Sequence, residues 1–340
     1  MRGGASTYIV TRVHGLRTHL MPPRDIKTLA KAKSLRDVSD SLMKTEYGND
    51  ISQLPMQEQD ATTLELIFLR KLVQRFLFLR RAAQGKMKRL LTSYCARFEV
   101  ENIKRIIRAK HGQGLEEPNL IPLPREYTLV NFPALLKAKD VEEVTSLLRD
   151  TPYHHVLANL QQYKERGTTL ILEAGLDRIY YGRVWQLNVR VKGMMDLIGE
   201  EIDLKNLMTV LSFKSREIPY HLIEEAIIPM SYALPKTTLQ SLLKGSLEDA
   251  PNLLSGRYSR LASEAANMLR SESPLPLEWP FFKQLYGDAS SILSTRSLEP
   301  GYVVAYLLLC ECEAKNLVSI VTGKQLNLSE EEILKGLFGV

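Results

Sequence analysis

Glu99 to Lys110 reads Glu-Val-Glu-Asn-Ile-Lys-Arg-Ile-Ile-Arg-Ala-Lys, and the chain writes this stretch three times. Asp203 to Lys214 reads Asp-Leu-Lys-Asn-Leu-Met-Thr-Val-Leu-Ser-Phe-Lys, and Glu313 to Lys324 reads Glu-Ala-Lys-Asn-Leu-Val-Ser-Ile-Val-Thr-Gly-Lys. Each copy has an acid, Asn three residues on, Ile or Leu next, aliphatics at seven and eight, and Lys at eleven. Wound at 3.6 residues per turn, these positions share one face, spread over about 140° of arc. That face turns inward, so its acid and Asn must find hydrogen-bond partners or cost about 1–3 kcal/mol each. Glu99, Asn102, Lys110, Asp203, Asn206, Lys214, Glu313, Asn316 and Lys324 are therefore expected to be structural, holding neighbouring helices together. A catalytic acid with an Asn helper, used three times in one chain, is the poorer reading.

Two further marks recur in the same order. Ala32 to Tyr47 matches Ala138 to Tyr153, and Ser246 to Tyr258 is a weaker third copy one residue short. Ser34, Asp140 and Ser246 each stand three residues before an acid (Asp37, Glu143, Asp249), a capping-box-like start to a short helix that ends near a Tyr. Then Leu64-Glu65 is followed by Arg70, Leu172-Glu173 by Arg178 and Leu277-Glu278 by Lys283, five residues after each acid. That is not an i,i+4 pair, so each of these charges is expected to pair elsewhere. The front acid and the Leu-Glu acid lie 28, 30 and 29 residues apart, and the next step to the acid-Asn motif is 34, 30 and 35. Three unrelated marks held in register form a far stronger signal than any one alone.

The joints agree: Pro118, Pro122 and Pro124 follow the first copy and Pro229 and Pro235 the second, while Pro274, Pro276 and Pro280 fall inside the third. Little alternates with period two, so no strand is expected. The reading is an all-α protein of three internally repeated helical units, residues 1–125, 126–234 and 235–340.

Composition fits an ordinary globular chain: 340 residues, 44% hydrophobic and 25% charged. The net charge of +6 and pI near 9.0 point to an acidic partner, nucleic acid or an anionic membrane surface without choosing among them. Cys95, Cys310 and Cys312 form no even framework, so they are expected as core or half-buried thiols in a reducing compartment. Met1-Arg2-Gly3-Gly4-Ala5 has no apolar run behind it, so no secretory signal is expected before Tyr8. Leu64 to Leu79 is broken by charges and Tyr302 to Cys310 is short, so both are expected as buried helices, not membrane spans.

Motifs for chemistry are absent. Gly323-Lys324 lacks the upstream Gly of a phosphate loop, and Gly112-Gln113-Gly114 lacks a third Gly and a preceding strand. Adjacent His154 and His155 are expected to point apart, unlike metal ligands. Ser241-Leu-Leu-Lys244 matches a pattern common by chance in helices. No catalytic residue, cofactor or metal is expected. Arg70, Lys71, Arg75, Arg80, Arg81, Lys86, Lys88 and Arg89 make a basic stretch. The bland reading has them snorkelling off a buried helix. The functional reading makes them a face for an acidic partner or lipid headgroups. RNA is disfavoured, because aromatics do not alternate with the bases as stacking platforms.

Glu313-x-Lys315-Asn316-Leu317-x-x-Ile320-x-x-Gly323-Lys324, then Leu328-Ser329-x-Glu331-x-Ile333, resembles the end of the central-stalk C protein of archaeal and bacterial V/A-type rotary ATPases. The eukaryotic vacuolar counterpart is called the d subunit. Tyr8-x-x-Thr11-Arg12-Val13-x-x-Leu16 resembles that family's start, and the likeness runs from about Tyr8 to Phe338. Glu101, where the other copies have Lys205 and Lys315, and the short third block depart from the pattern. The resemblance implies a pseudo-threefold helical funnel and a non-catalytic rotor component. It would be peripheral on the cytoplasmic face of the membrane, between the membrane rotor ring (c/K/L) and the central shaft proteins (D and F), with no nucleic acid and no small-molecule substrate. The alternative is a helical adaptor or RNA-binding scaffold.

Overall fold

The computed structural model describes residues 4–112, 118–188, 195–271 and 277–340. Gln113, Gly114, Pro274 and Pro276, named above, lie outside them. Every regular element among the described residues is helical. Contacts gather the chain into two units, Met1–Leu91 with Phe282–Val340, and Thr92–Phe281.

In the first unit the opening helix Gly4–Leu16 runs into a single tight turn, Arg17–His19. Pro23 then begins the helix Pro23–Ala30, at a first-turn position where a missing N–H costs nothing. Helix Leu35–Leu42 opens on a full capping box, Ser34 with Asp37. Asp60 caps Ala61–Ala82 by accepting from the Thr63 N–H at 2.7 Å. The long helix Gly301–Gln325 lies against Ala61–Ala82, and its stretch Tyr302–Cys310 is wholly buried. Ile26, Val38, Leu42, Phe68, Leu317 and Ile333 belong to one apolar cluster, so the ends of the chain build a common core. Gly323 makes room for it, because a Cβ there would stand 2.7 Å from Ile333 Cγ1. Ile333 rides on the last helix, Glu330–Lys335, which the Ser329–Glu332 capping box opens.

In the second unit, helix Leu170–Asn188 packs against the turn His154–Asn159 and the helices Met195–Lys214 and Tyr220–Ala226. Helix Met195–Lys214 also packs against Lys236–Lys244 and Gly256–Arg270. Gly199 is pressed by the Tyr232 ring, whose Cγ would be 2.5 Å from an added Cβ. Asp140 caps Val141–Leu147 as expected, accepting from the Glu143 N–H at 2.9 Å. The third front block differs. Ser246 and Asp249 make the same reciprocal bonds, at 3.1 Å in both directions, yet the helix that follows is only Ala250–Leu253. Pro251 sits in its first turn, and with a residue missing the block has less chain to wind.

No helix among the described residues is long and apolar enough to cross a membrane. Cys310 and Cys312 are buried and Cys95 half-buried, all as free thiols. Burial, first of all, pushes the Cys310 thiol up to about 11, as befits a packing residue.

Candidate functional site

The inward stripe of each acid-Asn helix is satisfied by one pattern. Asn102 Nδ2 donates to the Ile121 carbonyl at 2.9 Å, and the Ile121 N–H donates to Asn102 Oδ1 at 2.7 Å. Asn206 does the same with Ile228, at 3.0 and 2.7 Å, and also reaches the Met230 carbonyl. Asn316 does it with Phe338, at 3.0 and 2.8 Å. Each amide thus pairs both polar groups of one backbone residue downstream, and the backbone donor fixes which end of the amide is oxygen.

The acids repeat the logic with a tyrosine added. Glu99 Oε1 accepts from the N–H groups of Leu129 (2.5 Å) and Val130 (3.1 Å), and Oε2 accepts from the Tyr153 hydroxyl at 2.6 Å. Asp203 accepts from the N–H groups of Tyr232, Ala233 and Leu234 and, at 2.9 Å, from the Tyr258 hydroxyl. Glu313 accepts from the Met21 N–H and the Tyr47 hydroxyl, both at 2.6 Å. The tyrosines are the ones that close the three capped blocks. In chain order the first acid takes the second tyrosine, the second takes the third, and the third returns to the first. The sequence pattern marks the tyrosines but not their partners, although the offsets of 54 and 55 residues held the register.

Burial pushes the Glu99 carboxyl above the usual carboxylate value; the Tyr153 hydroxyl, the two backbone N–H groups and Arg183 pull it partway back. Glu313 has the Arg75 guanidinium at 2.8 Å, and Arg75 also contacts Glu46. Arg75 therefore departs from the partner-facing role expected of the basic stretch. It is 6% exposed, because its place on Ala61–Ala82 faces the Glu313 helix. Lys71 is half-buried with Asp50 at 3.6 Å and Arg80 is half-buried, whereas Arg70, Arg81, Lys86, Lys88 and Arg89 are exposed.

The lysines complete two of the stripes. Lys110 Nζ donates to the Leu136 carbonyl at 2.7 Å, and Lys214 Nζ to the carbonyls of Leu243 (3.0 Å) and Gly245 (2.5 Å). Lys324 is half-buried.

Buried polar groups outside the motif were not foreseen. Asp177 is held between Lys104 and Lys205, the latter at 2.7 Å. Burial alone would raise its carboxyl, but the two lysines hold it below the usual value. Lys315, the counterpart of Lys205, stands 4.3 Å over the Phe282 ring, a cation–π contact in place of an ion pair. Glu101, in the same register, contacts Arg108 at 3.0 Å, and Arg108 reaches Glu173 at 3.3 Å. Arg178 turns to the Glu225 carbonyl, so the Leu-Glu acid and its distant base do pair elsewhere in this copy. Glu201 accepts from Tyr181 at 2.9 Å and from Tyr94 at 3.3 Å, and contacts Arg97. His154 and His155 do not point apart: in a tight turn, not an α-helix, their rings lie 3.9 Å apart and exposed.

These side chains define an all-α scaffold in which the charged and amide groups of the interior lock helices to non-helical segments. The chain belongs to the ATP synthase (C/AC39) subunit family, whose profile matches residues 9–336. It is 26% identical to the C subunit of the A-type ATP synthase of Archaeoglobus fulgidus, over 97% of this chain and 95% of that one. To the protein of the same name from Methanocaldococcus jannaschii it is 25% identical, over 96% and 84%, and to that of Haloferax volcanii 23%, over 97% of each.

Proposed function

We propose that this chain is the non-catalytic central-stalk C component of an A-type ATP synthase, a socket on the cytoplasmic face that couples the central shaft to the membrane rotor ring. The family match over residues 9–336 carries the reading. The buried pairs support it, since a coupling must resist load without chemistry. Each ion crossing at roughly 150 mV delivers about 3.5 kcal/mol, and several are pooled per catalytic event. A part that yields below that pooled load wastes it.

In this reading the three sequence repeats, 1–125, 126–234 and 235–340, are equivalent units about a pseudo-threefold axis. Each acid, Asn and Lys of the motif then has a packing role. The return of the last acid, Glu313, to the first tyrosine, Tyr47, favours such closure over an open array, which would leave its last acid unmatched. A shaft contact is expected to be partly polar, and at least one partner interface should exceed about 1,200 Å². The test is capture of the tagged chain from detergent-solubilised membranes. Recovery of head, shaft and rotor-ring proteins supports the reading; a chain recovered free, or with RNA removed by high salt, overturns it.

A further inference from the structure

Tyr8 and Phe78 are 48% and 41% exposed. Arg12 ties them together: its guanidinium lies 5.1 Å from the Tyr8 ring centroid and 5.8 Å from that of Phe78. Its Nε and Nη2 donate to the Tyr8 hydroxyl at 2.9 and 2.6 Å. Arg81 is exposed one turn beyond Phe78 on Ala61–Ala82. After Ala83 and Gln84 the next helix begins at Gly85, whose φ of +56° lets the chain turn sharply. Its first turns expose Lys86, Lys88 and Arg89. From Leu66 to Phe98 the sequence holds no Asp or Glu at all. The patch thus combines two exposed aromatics, one with a hydroxyl, with exposed cations and no acid of its own stretch.

We propose that the patch of Tyr8, Arg12, Phe78, Arg81, Lys86, Lys88 and Arg89 docks on an anionic phospholipid surface. Charge complementarity selects an anion. Exposed rings set among the cations favour the headgroup layer of a bilayer over an acidic polypeptide. Such rings rest their apolar bodies at the acyl boundary while guanidinium and ammonium groups stay with the phosphates. Arg12, already lying over both rings, would keep its charge at phosphate depth as they enter. The surface is independent of the proposed coupling role, which concerns ring and shaft proteins.

The test is flotation of the purified chain with vesicles of phosphatidylcholine alone and of phosphatidylcholine with phosphatidylserine. Binding is expected to the anionic vesicles only and to fall steeply with salt. The triple variant K86Q/K88Q/R89Q should bind on the order of a hundredfold more weakly, from about fivefold per charge. The pair Y8S/F78S should lose the fraction of binding that survives salt. Each variant must keep the wild-type helical signal and melting midpoint. Equal binding to neutral vesicles, or retention of the triple variant, would overturn the proposal. So would a chain that ignores vesicles but is held by poly-glutamate, which would mark an acidic protein as the occupant.

Discussion

Replacing Tyr153 by Phe removes one oxygen and no packing volume, so its cost isolates a single hydrogen bond. Among the described residues Tyr153 donates the one hydrogen bond to Glu99 Oε2, at 2.6 Å and out of water, while both backbone donors serve Oε1. Loss of the hydroxyl leaves a buried carboxylate oxygen without a donor, a penalty of about 2–3 kcal/mol. The same change at Tyr47 or Tyr258 should cost less. Glu313 Oε1 keeps Arg75 at 2.8 Å, and Asp203 Oδ2 keeps the Ala233 and Leu234 N–H groups. About 1 kcal/mol is expected for each of these. The pH dependence carries a second signature. The Glu99 carboxyl already sits above its usual 4.5, so the ionised form costs stability that is recovered as pH falls through the folded value. Y153F removes a donor that favours ionisation, so its deficit should be full at neutral pH and shrink towards pH 4.5. Urea unfolding followed by circular dichroism, at neutral and mildly acid pH, measures both effects as shifts of midpoint at constant slope. Y258F costing as much as Y153F, or a Y153F deficit that grows in acid, would refute the reasoning.

Other outcomes follow from the same geometry. Asn316→Leu orphans both polar groups of Phe338, so hydrogen exchange at that amide should accelerate and stability fall by about 2–4 kcal/mol, with less effect on Asn102's partner Ile121. Asp177→Asn leaves Lys104 and Lys205 facing each other and should cost about 3–5 kcal/mol at neutral pH. Because the folded Asp177 value lies below its usual 3.8, this contribution is present above 3.8 and is lost as pH falls through the folded value. Wild type and D177N should therefore converge in acid, read from their unfolding midpoints. Cys95 should react with a thiol reagent in the folded chain before Cys310 or Cys312, which should label only on unfolding; mass spectrometry of timed samples checks the order.

The helices and their inward faces were legible because period and spacing are local properties, and the motif repeats them three times. The partners of those faces were not, because they come from elsewhere in the chain. Glu313 meets Tyr47 across 266 residues, and no window of sequence spans that. Arg75 shows the same limit. Its charge reads as a surface feature until the helix that buries it is known. Lys205 and Lys315 occupy one register but meet an Asp and a Phe, since the facing helix differs between copies. The capping residues succeeded at Ser34 and Asp140 because a cap needs only its own next turn, and the third block fell short where Pro251 and a missing residue intervened.

The most direct measurement of the account compares purified complexes reconstituted in vesicles with and without this chain, reading ATP hydrolysis by the head alongside ATP synthesis driven by an imposed ion gradient. A coupling that carries load without chemistry predicts that hydrolysis continues when the chain is left out, that synthesis disappears, and that adding the chain back restores it. Synthesis undiminished in its absence, or ATP turnover by the isolated chain, would contradict it.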